Sequence, residues 1–159
     1  LGGDAVAGYT ILDLPEVACL SAYCLMGALG EDRVRLFGED PKPGTAPVEI
    51  LPHWMIGSLP DLSADLVFNT YSFSEMDAAS SGFYLGHIER ICAARFFHVN
   101  HETRFRYRLP DGSESRNRLG SEIVPDQARF QLTRRRPRRF VRPENRAVVA
   151  SEYLYERVP

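Results

Sequence analysis

Tyr9-Thr10-Ile11-Leu12-Asp13-Leu14-Pro15-Glu16-Val17 is the stretch that decides how the chain reads. Gly8 to Leu12 is a short, β-rich apolar run that closes on Asp13-Leu14-Pro15. A proline followed by Glu16 and then by apolar spacing marks a helix start, because the first turn leaves the missing N–H unpaired anyway. Val17, Leu20, Cys24 and Ala28 form the apolar face expected of that helix, with Gly27 and Gly30 near its end. The segment reads as strand, acid, helix. An ionised carboxylate at the carboxyl end of an early strand offers two oxygens in one plane and can accept both hydroxyls of a nucleotide ribose. The same aspartate is also of the type that caps a helix beginning at Pro15. Spacing alone leaves both roles open.

Downstream, Val34 to Phe37 is expected as a strand stopped by Gly38-Glu39-Asp40-Pro41, and Pro41 to Pro47 as a loop. Val48 to Leu51 is a short extended piece ending at Pro52-His53-Trp54. Asp65-Leu66-Val67-Phe68-Asn69 has the composition of a buried strand, and Thr70 to Met76 forms a polar corner after it. A helix is expected from near Asp77 to Cys92 with Phe83, Ile88 and Ile91 on its apolar side, then a strand from Arg95 to Asn100. Tyr107 to Arg118 is polar, with Pro110-Asp111-Gly112 as a turn. Two antiparallel strands, Ala128 to Thr133 and Val148 to Glu156, end the chain, with the arginine- and proline-rich stretch as their connection. Strands alternating with helices give an α/β class with a mostly parallel sheet. Ligands of such sheets bind at the carboxyl ends of the strands.

The chain has 159 residues, 44% hydrophobic and 25% charged, which fits one globular domain spanning 1–159. No apolar run approaches the ~20 residues that span a bilayer, which argues against a membrane role. Leu1-Gly2-Gly3-Asp4 lacks an initiator Met and a basic-then-apolar leader, so the chain reads as cut from something longer. Cys19, Cys24 and Cys92 are expected as buried thiols of a reducing, cytoplasmic compartment. They show no metal-ligand spacing, the histidines are scattered, and no metal is expected.

The ordered series Tyr9 to Val17, Leu51-Pro52-His53-Trp54, Asp65 to Met76 and Phe97-His98-Val99-Asn100-His101-Glu102 resembles the sugar O-methyltransferase family of class I S-adenosylmethionine-dependent methyltransferases. The resemblance extends from about Tyr9 to Val158, and Asp-Leu-Pro alone would be too short to carry it. It implies a Rossmann-like sheet, mostly parallel with a C-terminal antiparallel hairpin. It also implies S-adenosylmethionine as cofactor and O-methylation of a sugar or glycosylated small molecule. The family's opening strand and glycine-rich turn have no counterpart here and are expected upstream. Under the resemblance Asp13, with Leu14, binds the donor ribose. Leu51 and Trp54 flank the adenine, and Asn69, Thr70 and Ser72 face donor and acceptor.

A base that removes the acceptor proton helps such a transfer, and histidine or a carboxylate is the usual choice. The strand-end candidates are Glu75 and His101, with Glu102 beside them. Glu75 is equally placed to cap the helix from Asp77, and His98, alternating inside a strand, reads as structural. Between Arg129 and Arg146 lie eight arginines and one acid, Glu144. The run Arg134 to Arg139 suits phosphate or RNA, but no aromatic platforms interleave with it. It therefore reads as a solvated loop, and nucleic acid is not an expected partner. Two rival functions remain: a non-catalytic module that keeps the fold for interaction, and an RNA-binding methyltransferase domain.

Overall fold

The computed structural model describes residues 6–40, 48–108, 111–141 and 147–158. The chain divides into two compact units, 1–58 and 59–159. No described helix is long and apolar enough to cross a membrane.

In the first unit, β1 (Tyr9–Asp13), β2 (Val34–Leu36) and β3 (Val48–Pro52) form a parallel sheet in the order β1-β3-β2. The helix α1 (Pro15–Leu29) starts as the proline requires, and Gly30 ends it. Gly30 takes φ 96°, a left-handed-side conformation open to glycine, and its N–H closes on the Met26 carbonyl at 3.0 Å. Ala22, Val34 and Ile50 make the buried centre, with Ile11, Ala18, Leu25 and Met26 packed against it. The expected apolar face of α1 is therefore wrong. Val17, Leu20 and Cys24 are exposed, and the small side chains of Ala18 and Ala22 face inward instead. Apolar residues occur all round this helix, so spacing does not single out the face that packs. Cys19 and Cys24 are exposed, contrary to expectation, because they lie on that outward side; Cys92 is fully buried.

The second unit holds β4 (Ala64–Thr70), α2 (Ala78–Ile91), β5 (Cys92–His101), a small hairpin of β6 (Arg106–Arg108) and β7 (Glu114–Arg116), and the long pair β8 (Phe130–Val141) and β9 (Ala147–Arg157). Its main sheet runs β4-β5-β9-β8, with β4 and β5 parallel and the other pairs antiparallel. Asp77 opens α2 by accepting from the N–H of Ala79 at 2.8 Å and of Ser80 at 2.9 Å. Such a cap satisfies donors that the helix itself leaves unpaired. Ser81, Leu85, Ile88 and Ile91 are the buried face of α2, whereas Phe83 is 56% exposed. Phe73, Phe96, Ile123, Phe130, Tyr153 and Tyr155 complete the core with them.

Two further expectations fail here. Among the described residues β4 pairs only with β5, and Leu66 and Phe68, on one face of it, stay half exposed while Val67, on the other face, packs inward. The arginine run is no loop: Arg134 to Arg139 lie within β8, in register with Leu154 to Val149 of β9. Main-chain pairing is indifferent to side-chain charge, and charged residues on an edge strand discourage pairing with another chain. The loop expected at 41–47 and residues 142–146 lie outside the described residues.

Candidate functional site

In the first unit, Asp13 ends β1 opposite Pro52 of β3. Its Oδ1 accepts the N–H of Leu14 at 2.8 Å, and among the described residues no partner holds Oδ2. Leu14 stands at the cap position of α1 with no side-chain cap bond, so Asp13 does not act as the helix cap. Leu14 itself is 53% exposed beside it. At the neighbouring strand end Leu51 is buried and Trp54 is 55% exposed, its ring edge-on to His53 at 5.1 Å. An uncommitted carboxylate oxygen at the carboxyl end of a parallel strand is the arrangement that a ribose diol can use.

In the second unit, the corner after β4 is organised by amides and hydroxyls. Asn69 donates to the Ser72 hydroxyl and accepts from Nδ2 of Asn100 at 3.1 Å. Oδ1 of Asn100 accepts from the N–H of Ser74 at 3.0 Å, and its Nδ2 lies 3.3 Å from Nδ1 of His98. Asn100, His98 and Ser74 are all fully buried, so each polar atom satisfied here removes a desolvation cost. Asn69 is thereby spent on positioning Ser72, whereas Thr70 and Glu75 are exposed. Glu75 makes no cap bond to α2, since Asp77 does. The His101 ring lies against Tyr71, with centroids 4.7 Å apart, and edge-on to Phe105 at 5.9 Å.

Glu102 and Tyr153 form a third cluster. The Tyr153 hydroxyl donates to Oε1 of Glu102 at 2.5 Å, and the Ser121 hydroxyl donates to Oε2 at 2.9 Å. Burial pushes the carboxyl up, but these bonds outweigh it and hold Glu102 below the usual range. Burial and the Glu102 partner push Tyr153 up to about 12. Arg135 of β8 sits 4.0 Å from Glu102 and 5.4 Å over the Tyr153 ring. A carboxylate so fully engaged is a poor proton acceptor, and Glu102 serves to pin the segment at Ser121. A cavity of about 540 Å³, lined by Ser121, Phe130, Arg135, Tyr153 and Tyr155 among others, opens on this side and not at Asn69 and Ser72. Among the described residues no group of His, Cys, Asp and Glu could hold a metal ion.

An S-adenosylmethionine-dependent methyltransferase of Methanosarcina mazei superposes with a TM-score of 0.63 over 97% of this chain and 84% of that one, at 12% identity. The fold is that of the S-adenosylmethionine-dependent methyltransferases. A second methyltransferase-fold structure is the 1,6-didemethyltoxoflavin-N1-methyltransferase of Burkholderia thailandensis, with 1,6-didemethyltoxoflavin and S-adenosylhomocysteine bound. It gives a TM-score of 0.54 at 16% identity over 96% of this chain and 72% of that one. An S-adenosylmethionine-dependent methyltransferase from Mesorhizobium loti gives 0.50 at 12% identity, covering 96% and 92%. No protein-family model matches the sequence, and neither does any curated protein.

Within this methyltransferase fold, sequence reading missed Asn100 as the hub of the β4 corner and Tyr153 as the partner of Glu102. Asn100 was legible only as a polar residue at a strand end. Tyr153 lies 51 residues from Glu102, and nothing local marks a pair that β9 makes by lying beside β5.

Proposed function

We propose that the chain transfers the methyl group of S-adenosylmethionine to a hydroxyl of a sugar or glycosylated small molecule in the cytosol. The observation that carries the reading is Asp13, a strand-end carboxylate with one oxygen uncommitted, in a methyltransferase fold. The bound donor supplies an electrophilic methyl group on a sulfonium. Asp13 accepts the ribose hydroxyls beside the exposed Leu14, while the half-exposed Trp54, following the strand end at Leu51, flanks the adenine. In the second unit Thr70 and Ser72 present hydroxyls, Ser72 being fixed by Asn69. His101 takes the acceptor proton, and the exposed Glu75 is the other group at this corner able to do so. A small-molecule acceptor fits the Burkholderia thailandensis neighbour, whose structure holds one.

Incubating the chain with methyl-labelled S-adenosylmethionine and a panel of sugars, glycosides, phenols and amines tests the reading. The expected result is label in a sugar hydroxyl. Label in amines alone refutes O-methylation, and label in none while the donor binds favours a non-catalytic module.

A further inference from the structure

We infer that Tyr71 is the positioning residue for the His101 imidazole, a claim that rests on the reading of His101 as the proton acceptor. Tyr71 follows β4 with φ 62° and ψ −24°, in the left-handed region. A bulky L side chain is disfavoured there, where glycine or asparagine would sit without strain. Strain of this kind persists only where the surroundings over-determine it.

The surroundings here do over-determine it. The Tyr71 N–H donates to the Val99 carbonyl at 2.7 Å. The Tyr71 carbonyl accepts from the Ser74 N–H at 3.1 Å and from the Ser74 hydroxyl at 2.8 Å. That same fully buried hydroxyl accepts the His101 N–H at 3.2 Å. One serine therefore clips the Tyr71 corner to the end of β5, and the clip brings the Tyr71 ring to 4.7 Å from the imidazole at 38°.

The imidazole itself lacks the usual orienting bond. A base histidine is normally held by a hydrogen bond from its Nδ1 to a carboxylate or carbonyl. Among the described residues Nδ1 of His101 is enclosed with no hydrogen-bond partner. The ring is therefore oriented by packing, between the tilted Tyr71 ring and the near-perpendicular Phe105 ring. Nε2 is left as the nitrogen that can meet an acceptor.

The test is imidazole nitrogen spectroscopy on the full chain labelled with ¹⁵N-histidine at pH 8, with His101→Gln to assign the signals. Nitrogen shifts report the tautomer, and nuclear Overhauser contacts between the His101 ring protons and the Phe105 ring report the orientation of the imidazole. The expected result is a dominant tautomer with the proton on Nδ1, as a base acting through Nε2 requires, and His101–Phe105 contacts that are retained in Tyr71→Phe. In Tyr71→Gly those contacts fall by at least half, while the His98 signals stay put and show that the fold survives. Should Tyr71→Gly not fold, Tyr71→Asn, which also tolerates the left-handed backbone, takes its place with the same expectation. Unchanged His101–Phe105 contacts in the ring-less variant overturn the inference, as does Tyr71→Phe behaving like Tyr71→Gly. S-adenosylhomocysteine titrated into the same samples separates the two claims. Absence of binding ends the methyltransferase reading, whereas the spectra alone decide the role of Tyr71.

Discussion

His98 offers a way to test the core of the second unit by pH alone. Its ring is fully buried, stacked on Tyr153 at 4.8 Å and on Tyr155 at 5.9 Å, with the Glu102 charge and the Ile123 carbonyl near it. Burial disfavours the imidazolium and pushes the group from 6.5 down to about 4, against the smaller opposing pull of Ile123 and Glu102. The folded value lies below the unfolded one, so as pH falls the unfolded chain binds this proton first. Stability therefore declines from pH 6.5 to about 4 and then levels off. At ~1.4 kcal/mol per pH unit the full contribution is about 3 kcal/mol, and about 2 kcal/mol of it falls between pH 7 and pH 4.5. Urea unfolding at those two pH values reads it directly. His98→Phe keeps an aromatic ring in the stack, and Asn100 keeps its bond to Asn69, so the variant should fold and lose about 2 kcal/mol less than the parent on acidification. Carboxylates begin to titrate at the acid end of this window, but they do so in parent and variant alike, so the difference between the two isolates His98. Equal acid sensitivity in parent and variant would refute the reasoning.

Three further outcomes follow from the packing. Glu102 is held below its usual range, so its bonds stabilise the fold above about pH 4.5 and are lost as pH falls through the folded value. Glu102→Gln should accordingly cost about 1–2 kcal/mol at pH 7, and the cost should shrink as pH falls below about 4.5, by urea unfolding across that range. Asp77→Ala removes the cap of α2 and should cost about 1 kcal/mol, seen as a lower urea midpoint at unchanged slope. Gly120→Ala would set a methyl 3.0 Å from the Asn100 carbonyl, 3.1 Å from Oε1 of Glu102 and 3.3 Å from the Tyr153 ring. That crowding should cost about 1–3 kcal/mol, and a neutral thermal melt would contradict it.

What the sequence made legible was local. Pro15 and Asp77 announce their helices because capping is decided within four residues, and both helices begin there. β1 and the strand-end position of Asp13 follow from one short run and the proline after it. Features settled by distant partners were not legible. The packed face of α1 depends on the sheet beneath Ala18 and Ala22, and a helix apolar all round does not declare it. The arginines of β8 look like a loop until β9 supplies their register. At the candidate site, Asn69 and Ser72 are where strand ends place them. Their fixation by Asn100, and the left-handed backbone of Tyr71, come from β5 lying alongside β4.

The central claim is that Asp13 holds the methyl donor, and calorimetric titration of S-adenosylhomocysteine into the chain and its Asp13→Ala variant tests it most directly. Saturable binding that weakens at least tenfold in the variant, ~1.4 kcal/mol or more, is the predicted result. Equal affinity in both, or no binding to the parent chain, would contradict it.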